Sequence, residues 1–383
     1  MKKILICVLC LCTLLYPTQI LAKDDVLLES VSGILIEANT GKIIYEKEKD
    51  KRVAVASMTK MVAQIIILEQ VEAGKIKWSD VVTVSKNASE MGGSQIYLQQ
   101  GEKITIEDLM RGISMASGND ATVQMAEVIS GSEEKFVKLM NQKVKKLGLK
   151  NTQFKNCTGL DEEGHYSSAY DMAMIARELV VNHPEILRFS SMYEDYLRED
   201  TDNKFWLVNT NKLVRFYEGA DGLKTGHTDA AGYCLAATAK RNGLRLIGIV
   251  LGVNDSKLRN AQAMELLDYG FNNVKQNVLK EKGSIVKEIK LDKASVDTID
   301  VVLKDDLTVI EDLDGKEHHY TYEIDVSDIK LPASVGTVVG NIKVLENKKV
   351  VAQEDLTINK KIMKLSYFDL LFNSLLDIFS GEI

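Results

Sequence analysis

The chain has 383 residues, 45% of them hydrophobic and 27% charged, with a net charge of −7. That balance excludes a disordered chain, gives length enough for two or three domains, and argues against a nucleic-acid partner. The five cysteines and five histidines form neither a disulfide framework nor an HExxH zinc motif, so no metal and no other cofactor is expected.

In chain order, Met1-Lys2-Lys3, an apolar run from Ile4 to Tyr16, and Ile20-Leu21-Ala22 ahead of Lys23-Asp24-Asp25 have the layout of an export signal over residues 1–22. The run is shorter than the roughly 20 residues of a spanning helix, which disfavours an uncleaved anchor. Export is expected either way. Cys7, Cys10 and Cys12 leave with the signal, and Cys157 and Cys234 remain as expected buried free thiols.

Residues 33–47 read as a hairpin, with Ile34, Ile36, Ile43 and Tyr45 flanking an Asn39-Thr40-Gly41 turn. From Ser57 to Val71, the residues Met61, Ile65, Leu68 and Val71 recur at helical spacing, and Gly74 marks the stop. Helices continue from Thr105 to about Leu149, with Thr105 and Ser132 as N-caps and Gly148 following the amphipathic set Phe136, Leu139, Met140 and Leu147. Between Asp221 and Gly252 the period changes to strand, strand, an Asn242-Gly243 turn and a further strand. The expected class is therefore α/β in the α+β sense, over residues 23–275. Helices are inserted between the N-terminal hairpin and the C-terminal strands of one antiparallel sheet.

After a charged connector around Lys280–Gly283, residues 284–356 alternate without helical period and predict a small all-β domain. His318 and His319 there have no third ligand in view. Within the last segment, 360–383, the stretch from Leu365 to Ser380 reads as a helix on which Ser366, Asp369, Asn373, Asp377 and Ser380 form one polar stripe, the rest apart from Ser374 being apolar. At about 24 Å it is too short to cross a roughly 30 Å hydrocarbon core. It is expected to lie in the membrane surface, with Lys360, Lys361 and Lys364 toward anionic headgroups; packing on the protein itself is the alternative.

The chemistry concentrates in three short motifs. A serine hydroxyl needs a neighbouring base. Lys60, three residues after Ser57 on a helix, lies on the same face, and burial plus a second cation, Lys224, would lower its pKa toward neutrality. Ser117 can relay a proton to a leaving group, and the Asn119 amide can both accept from and donate to a peptide backbone. Gly226 would let a substrate backbone approach the strand edge, with Lys224 supplying charge and Thr225 a hydroxyl for a substrate carboxylate. The His227 backbone N–H is the expected second oxyanion donor. Taken singly, each motif reads equally well as a helix cap or a solvated lysine.

Together, Ser57-Met58-Thr59-Lys60, Ser117-Gly118-Asn119 and Lys224-Thr225-Gly226 resemble the motif set of the penicillin-recognising serine acyl-transferases. The context Met115-Ala-Ser-Gly-Asn-Asp-Ala121, Asn156-Cys-Thr-Gly-Leu-Asp161 and Asp221-Gly-Leu-Lys-Thr-Gly-His-Thr228 is similar to the D-alanyl-D-alanine carboxypeptidases among the low-molecular-mass penicillin-binding proteins, from about Leu28 to Gly270. The resemblance implies a transpeptidase/β-lactamase-like domain whose substrates are peptidoglycan stem peptides ending in D-Ala-D-Ala. Ser57 would be acylated by the penultimate D-alanine and freed by water, and β-lactams would acylate the same serine and leave slowly. It further implies Arg259 as the binder of the C-terminal carboxylate, with Lys257 a competitor, and a place at the outer face of the cytoplasmic membrane.

Asp171 also matches a family position, but with Ser168 it reads as a capping box and stays outside the core site. The loop departs from the pattern at Cys157 and Thr158, where many members have Pro and His. A class A β-lactamase would carry a Glu-x-x-Leu-Asn loop, and Glu162 and Glu163 lack that context. The occupied motifs disfavour an inert wall-binding or sensor protein, whereas DD-endopeptidase action stays open.

Overall fold

The computed structural model describes residues 28–366 apart from Lys293, together with Phe368 and Asp369. The expected export signal and the body of the expected terminal helix lie outside the described residues, but residues 360–364, expected to belong to the anchor segment, are part of the β region: Ile362 is buried there and bridges Ala333, and Lys364 bridges Ala294.

The centre is a five-stranded antiparallel sheet in the order Ile43–Lys47, Ser32–Glu37, Leu244–Val253, Gly232–Arg241, Ala220–Thr228. The first hairpin forms as its alternation predicts. The Asn242-Gly243 turn has φ of +48° and +87°, the left-handed values that its tight connection requires. Ser32–Glu37 is buried along its whole length because the sheet is covered on both faces. Ile34 and Ile36 pack into the cluster containing Met61, Ile65 and Leu68. Leu35, pointing the other way, meets Leu266 and Leu267 of the Ser256–Asn273 helix.

The Lys60–Glu72 helix departs from its predicted amphipathic form. Every residue from Lys60 to Leu68 is buried, including Val62, Ile66 and Ile67 off the periodic stripe. It is a central helix, enclosed between the sheet and the inserted lobe of helices Ile106–Met115, Asn119–Ser130 and Glu133–Lys146. The lobe is capped as the sequence predicts: Thr105 Oγ1 accepts from Asp108 N–H at 3.0 Å and Ser132 Oγ from Lys135 N–H at 3.3 Å. Ser168 likewise caps its helix, accepting from Asp171 N–H. The Asp171 carboxylate does not complete a capping box, however, and instead accepts from Asn151 N–H and Thr152 Oγ1 at 2.8 and 2.7 Å.

From Val274 to Lys364 the described residues form a β region. Strands Ile285–Lys290, Thr298–Leu303, Lys349–Ile358, Val338–Glu346 and Thr321–Val326 form a second antiparallel sheet in that order. Val274–Lys280 pairs with Leu307–Asp312, so the charged turn at 281–284 lies between two strands of the β region. The core of this region holds Ile299, Val301, Leu303, Ile342, Val344 and Leu356. It touches the first sheet where Lys42 Nζ donates to Asp312 and to the Ile310 carbonyl at 3.0 and 3.1 Å. His318 pairs with Glu346 at 2.7 Å and His319 is exposed. Cys157 and Cys234 are buried and free. Among the described residues no helix is long and apolar enough to cross a membrane, and no cluster could hold a metal ion.

Candidate active site

Ser57 sits in a tight turn, Ala56–Thr59, that leads directly into the central helix. Ala56 has a φ of +48°, a backbone conformation that costs a non-glycine residue energy and persists only where neighbours enforce it. Two glycines allow that enforcement. At Gly159 an added Cβ would lie 1.9 Å from the Ala56 carbonyl oxygen, and at Gly226 it would lie 2.7 Å from the Val55 carbonyl oxygen. The 156–159 loop and the Lys224-Thr225-Gly226 strand therefore press on the nucleophile turn from two sides. On the face where a side chain would stand, Gly226 is packed by the chain's own Ser57 turn.

Lys60 is buried, and its Nζ has three hydrogen-bond partners: Ser57 Oγ at 2.9 Å, Asn119 Oδ1 at 2.7 Å and the Thr158 carbonyl at 2.7 Å. As an ammonium it donates to all three. As a neutral amine it keeps two donors for Asn119 and Thr158 and turns its lone pair to the Ser57 hydroxyl, so neither state orphans a group. Burial lowers its pKa to about 7, against smaller raising effects of Cys157 and Asp120.

Lys224 is buried beside it and donates to Ser117 Oγ at 2.8 Å and to the Thr225 carbonyl at 2.9 Å. Its pKa is held well down, first by burial and then by Lys60 and Arg259. The second-cation effect expected on Lys60 thus falls on Lys224, and Lys60 is lowered by desolvation itself. Ser117 is at a φ of +62° in the turn between two lobe helices, which carries its hydroxyl toward Lys224. Thr225 Oγ1 bonds Thr210 Oγ1 at 2.8 Å.

The Asn119 amide is already engaged on both sides, with Lys60 and, through Nδ2, with the Gly92 carbonyl at 2.8 Å; one donor and one lone pair remain. Arg259, a turn into its helix, is buried and donates to Asn260 Oδ1, whereas Lys257 is exposed. That burial separates the two competitors. The His227 side chain is exposed and stacks on Tyr233 at 4.0 Å, clear of the lysines. Among the described residues no carboxylate forms a salt bridge with Lys60, Lys224 or Arg259. Three buried basic groups therefore converge on the site, a setting that favours an anionic substrate group.

Several supporting residues escaped the sequence. The Thr158 carbonyl, a backbone group, leaves no composition signal. Asp120 accepts from the Ile96 and Leu98 N–H groups at 3.0 and 3.1 Å and so fixes the loop that holds Asn119; its place beside Ser117-Gly118-Asn119 was the available clue. His165 Nδ1 accepts from Lys155 N–H, so Nε2 carries the proton and donates to Thr59 Oγ1 at 2.8 Å. Burial pushes its pKa down to about 4. Cys157, whose N–H donates to Glu133 at 3.0 Å, has its thiol raised by burial and by Glu133, the opposite of an activated nucleophile. Glu162 accepts from Asn156 at 3.1 Å, away from the serine.

The family described as D-alanyl-D-alanine carboxypeptidase matches residues 19–255, and the C-terminal domain of penicillin-binding protein 5 matches residues 275–364. The D-alanyl-D-alanine carboxypeptidase DacF of Bacillus subtilis is 45% identical over 344 residues, 90% of this chain and 88% of that protein. The solved penicillin-binding protein 5 of Haemophilus influenzae superposes with a TM-score of 0.70 at 31% identity, covering 88% of this chain and 98% of that one. Penicillin-binding protein D2 of Listeria monocytogenes, solved with ampicillin bound, has a TM-score of 0.58 at 30% identity over 64% of this chain and 99% of that one.

Proposed function

Because the chain belongs to the D-alanyl-D-alanine carboxypeptidase family of serine-type hydrolases, we propose that it trims the terminal D-alanine from peptidoglycan stem peptides through a Ser57 acyl-enzyme. Neutral Lys60 takes the Ser57 proton as Oγ attacks the carbonyl carbon of the penultimate D-alanine. The backbone N–H groups of Ser57 and His227 stabilise the resulting oxyanion. Ser117, held by Lys224, passes a proton to the amine of the departing D-alanine as the C–N bond breaks. Water then attacks the ester, the C–O bond to Ser57 breaks, and a proton returns to Oγ. Thr225 and Arg259 hold the substrate carboxylate, and Asn119 and the edge strand hold its backbone. A β-lactam acylates Ser57 by the same route and blocks water from completing the cycle.

The observation that carries this reading is the buried Lys60 amine, 2.9 Å from Ser57 Oγ and without a carboxylate partner among the described residues. Release of D-alanine from a diacyl-L-lysyl-D-alanyl-D-alanine tripeptide tests it: wild type releases D-alanine and Ser57→Ala does not. Equal release by both would refute the assignment. The domain division, residues 1–22 as export signal, 23–275 as catalytic domain, 284–356 as β domain and 365–383 as a surface-lying anchor, belongs to the same proposal. It places the enzyme outside the cytoplasm, peripheral to the membrane.

A further inference from the structure

Next to the catalytic cleft, the short hairpin of Glu194–Leu197 and Phe205–Val208 carries more exposed aromatic surface than its own packing needs. Tyr196 stands directly opposite Trp206, both on the outward face, and Trp206 is 55% exposed. At the tip of the hairpin a cavity of about 300 Å³ is walled by the edge-to-face pair Tyr97 and Phe205, with Gln99, Arg198, Asp202, Asn203 and Lys204 around it. Lys204 joins the two features, since its Nζ lies 3.9 Å over the Tyr196 ring.

Tyr97 is 66% exposed and has a φ of +58°, a conformation unusual for an aromatic residue. Its setting enforces it. The N–H groups on either side, of Ile96 and Leu98, are held by Asp120, and the Ile96 carbonyl accepts from Arg198, itself at a φ of +55°. Strain of this kind is retained where a side chain has a task. Here it aims a ring outward from the loop that also supplies the Gly92 and Ser94 carbonyls to Asn119.

We propose that this cavity and the adjoining aromatic face bind the glycan to which the stem peptide is attached, a polymer of N-acetylated amino sugars. The C–H face of a pyranose ring carries partial positive charge and packs on the negative face of an aromatic ring. The hydroxyl and N-acetyl groups of the sugar match the amide and ammonium groups of Gln99, Asn203 and Lys204. The volume is at the lower end of the roughly 300–1,000 Å³ of small-molecule sites, in keeping with one or two sugar rings. Polar groups interleaved with rings fit a saccharide better than an apolar protein surface. The inference rests on the carboxypeptidase reading, because it makes the wall polymer the substrate.

The test compares D-alanine release by the full-length protein from a disaccharide-pentapeptide and from the same pentapeptide without sugar. Wild type should prefer the disaccharide substrate. Trp206→Ala and Tyr97→Gly, the latter relieving the backbone while deleting the ring, should each lower kcat/KM on that substrate by about fivefold or more through KM, and leave the free peptide unaffected. Equal loss on both substrates, or loss on neither, overturns the proposal. Titration with peptide-free glycan oligomers, followed by tryptophan fluorescence, is independent of catalysis, since the chain has two tryptophans and Trp206 is the more exposed. A saturable change in wild type, weakened in Tyr97→Gly, is expected, and no change overturns the proposal. Absence of D-alanine release from either substrate by wild type would instead refute the carboxypeptidase reading and leave the titration to decide glycan binding.

Discussion

Lys60 is held among three acceptors with its pKa lowered to about 7 by burial, so both of its protonation states exist near neutrality. Only the neutral amine can take the Ser57 proton. The rate constant for acylation by benzylpenicillin should therefore rise with pH through about 7 and level off above it, and a profile flat from pH 5 to 9 would contradict the assignment. Lys60→Arg, which keeps its proton throughout, should abolish acylation while the protein still folds, as near-ultraviolet circular dichroism can check. The spacing of Ser57 and Lys60 made this pair legible in sequence. The Thr158 carbonyl was not, because a backbone acceptor can be supplied by any residue type, and Cys157 beside it only drew attention to the loop.

At the scale of elements, the nucleophile turn is clamped between the Ala220–Thr228 strand and the 156–159 loop. Gly226→Ala would bring a Cβ to 2.7 Å from the Val55 carbonyl oxygen, and displacement of the turn should slow acylation by on the order of 10- to 100-fold. An unchanged rate would show that the clamp is slack.

The same loop is tied to Thr59 of the nucleophile turn by His165, whose pKa burial lowers from 6.5 to about 4. The unfolded chain takes up that proton first as pH falls, so the stability that depends on keeping the buried ring neutral is whole above about pH 6.5 and lost progressively down to about pH 4. The loss amounts to about 3 kcal/mol. His165→Gln should flatten that part of the Tm-versus-pH curve, and an identical slope in the variant would contradict it. Helix caps and the Asn242-Gly243 turn were readable in advance because one or two residues decide them locally. The fully buried central helix was not, since burial on its off-stripe side comes from a lobe folded from residues far along the chain.

For the whole molecule, the 194–208 hairpin, with strands of only four residues each, escaped the sequence, whereas the first hairpin, the lobe helices and the three strands from 221 to 252 were legible from their hydrophobic period. The start of the β region was less so: Val274–Lys280 shows no regular alternation, with Lys275-Gln276-Asn277 polar in a row, and becomes a strand by pairing with Leu307–Asp312. The convergence of three basic groups from a central helix, an edge strand and a late helix is likewise a tertiary fact. The proposed peripheral attachment gives a prediction for the whole protein: deleting residues 365–383, which spares the buried Ile362 and its bridge to Ala333, should move the protein from the membrane fraction to the soluble one, with peptide hydrolysis retained. Unchanged membrane association would place the anchor elsewhere.

The measurement that bears most directly on the Ser57–Lys60 account is intact-mass spectrometry of the protein after incubation with benzylpenicillin, with Ser57→Ala alongside. The account predicts one stoichiometric adduct on the wild type that persists for minutes or longer and is absent from the variant. An adduct of equal yield on Ser57→Ala, or none on an otherwise folded wild type, would contradict it.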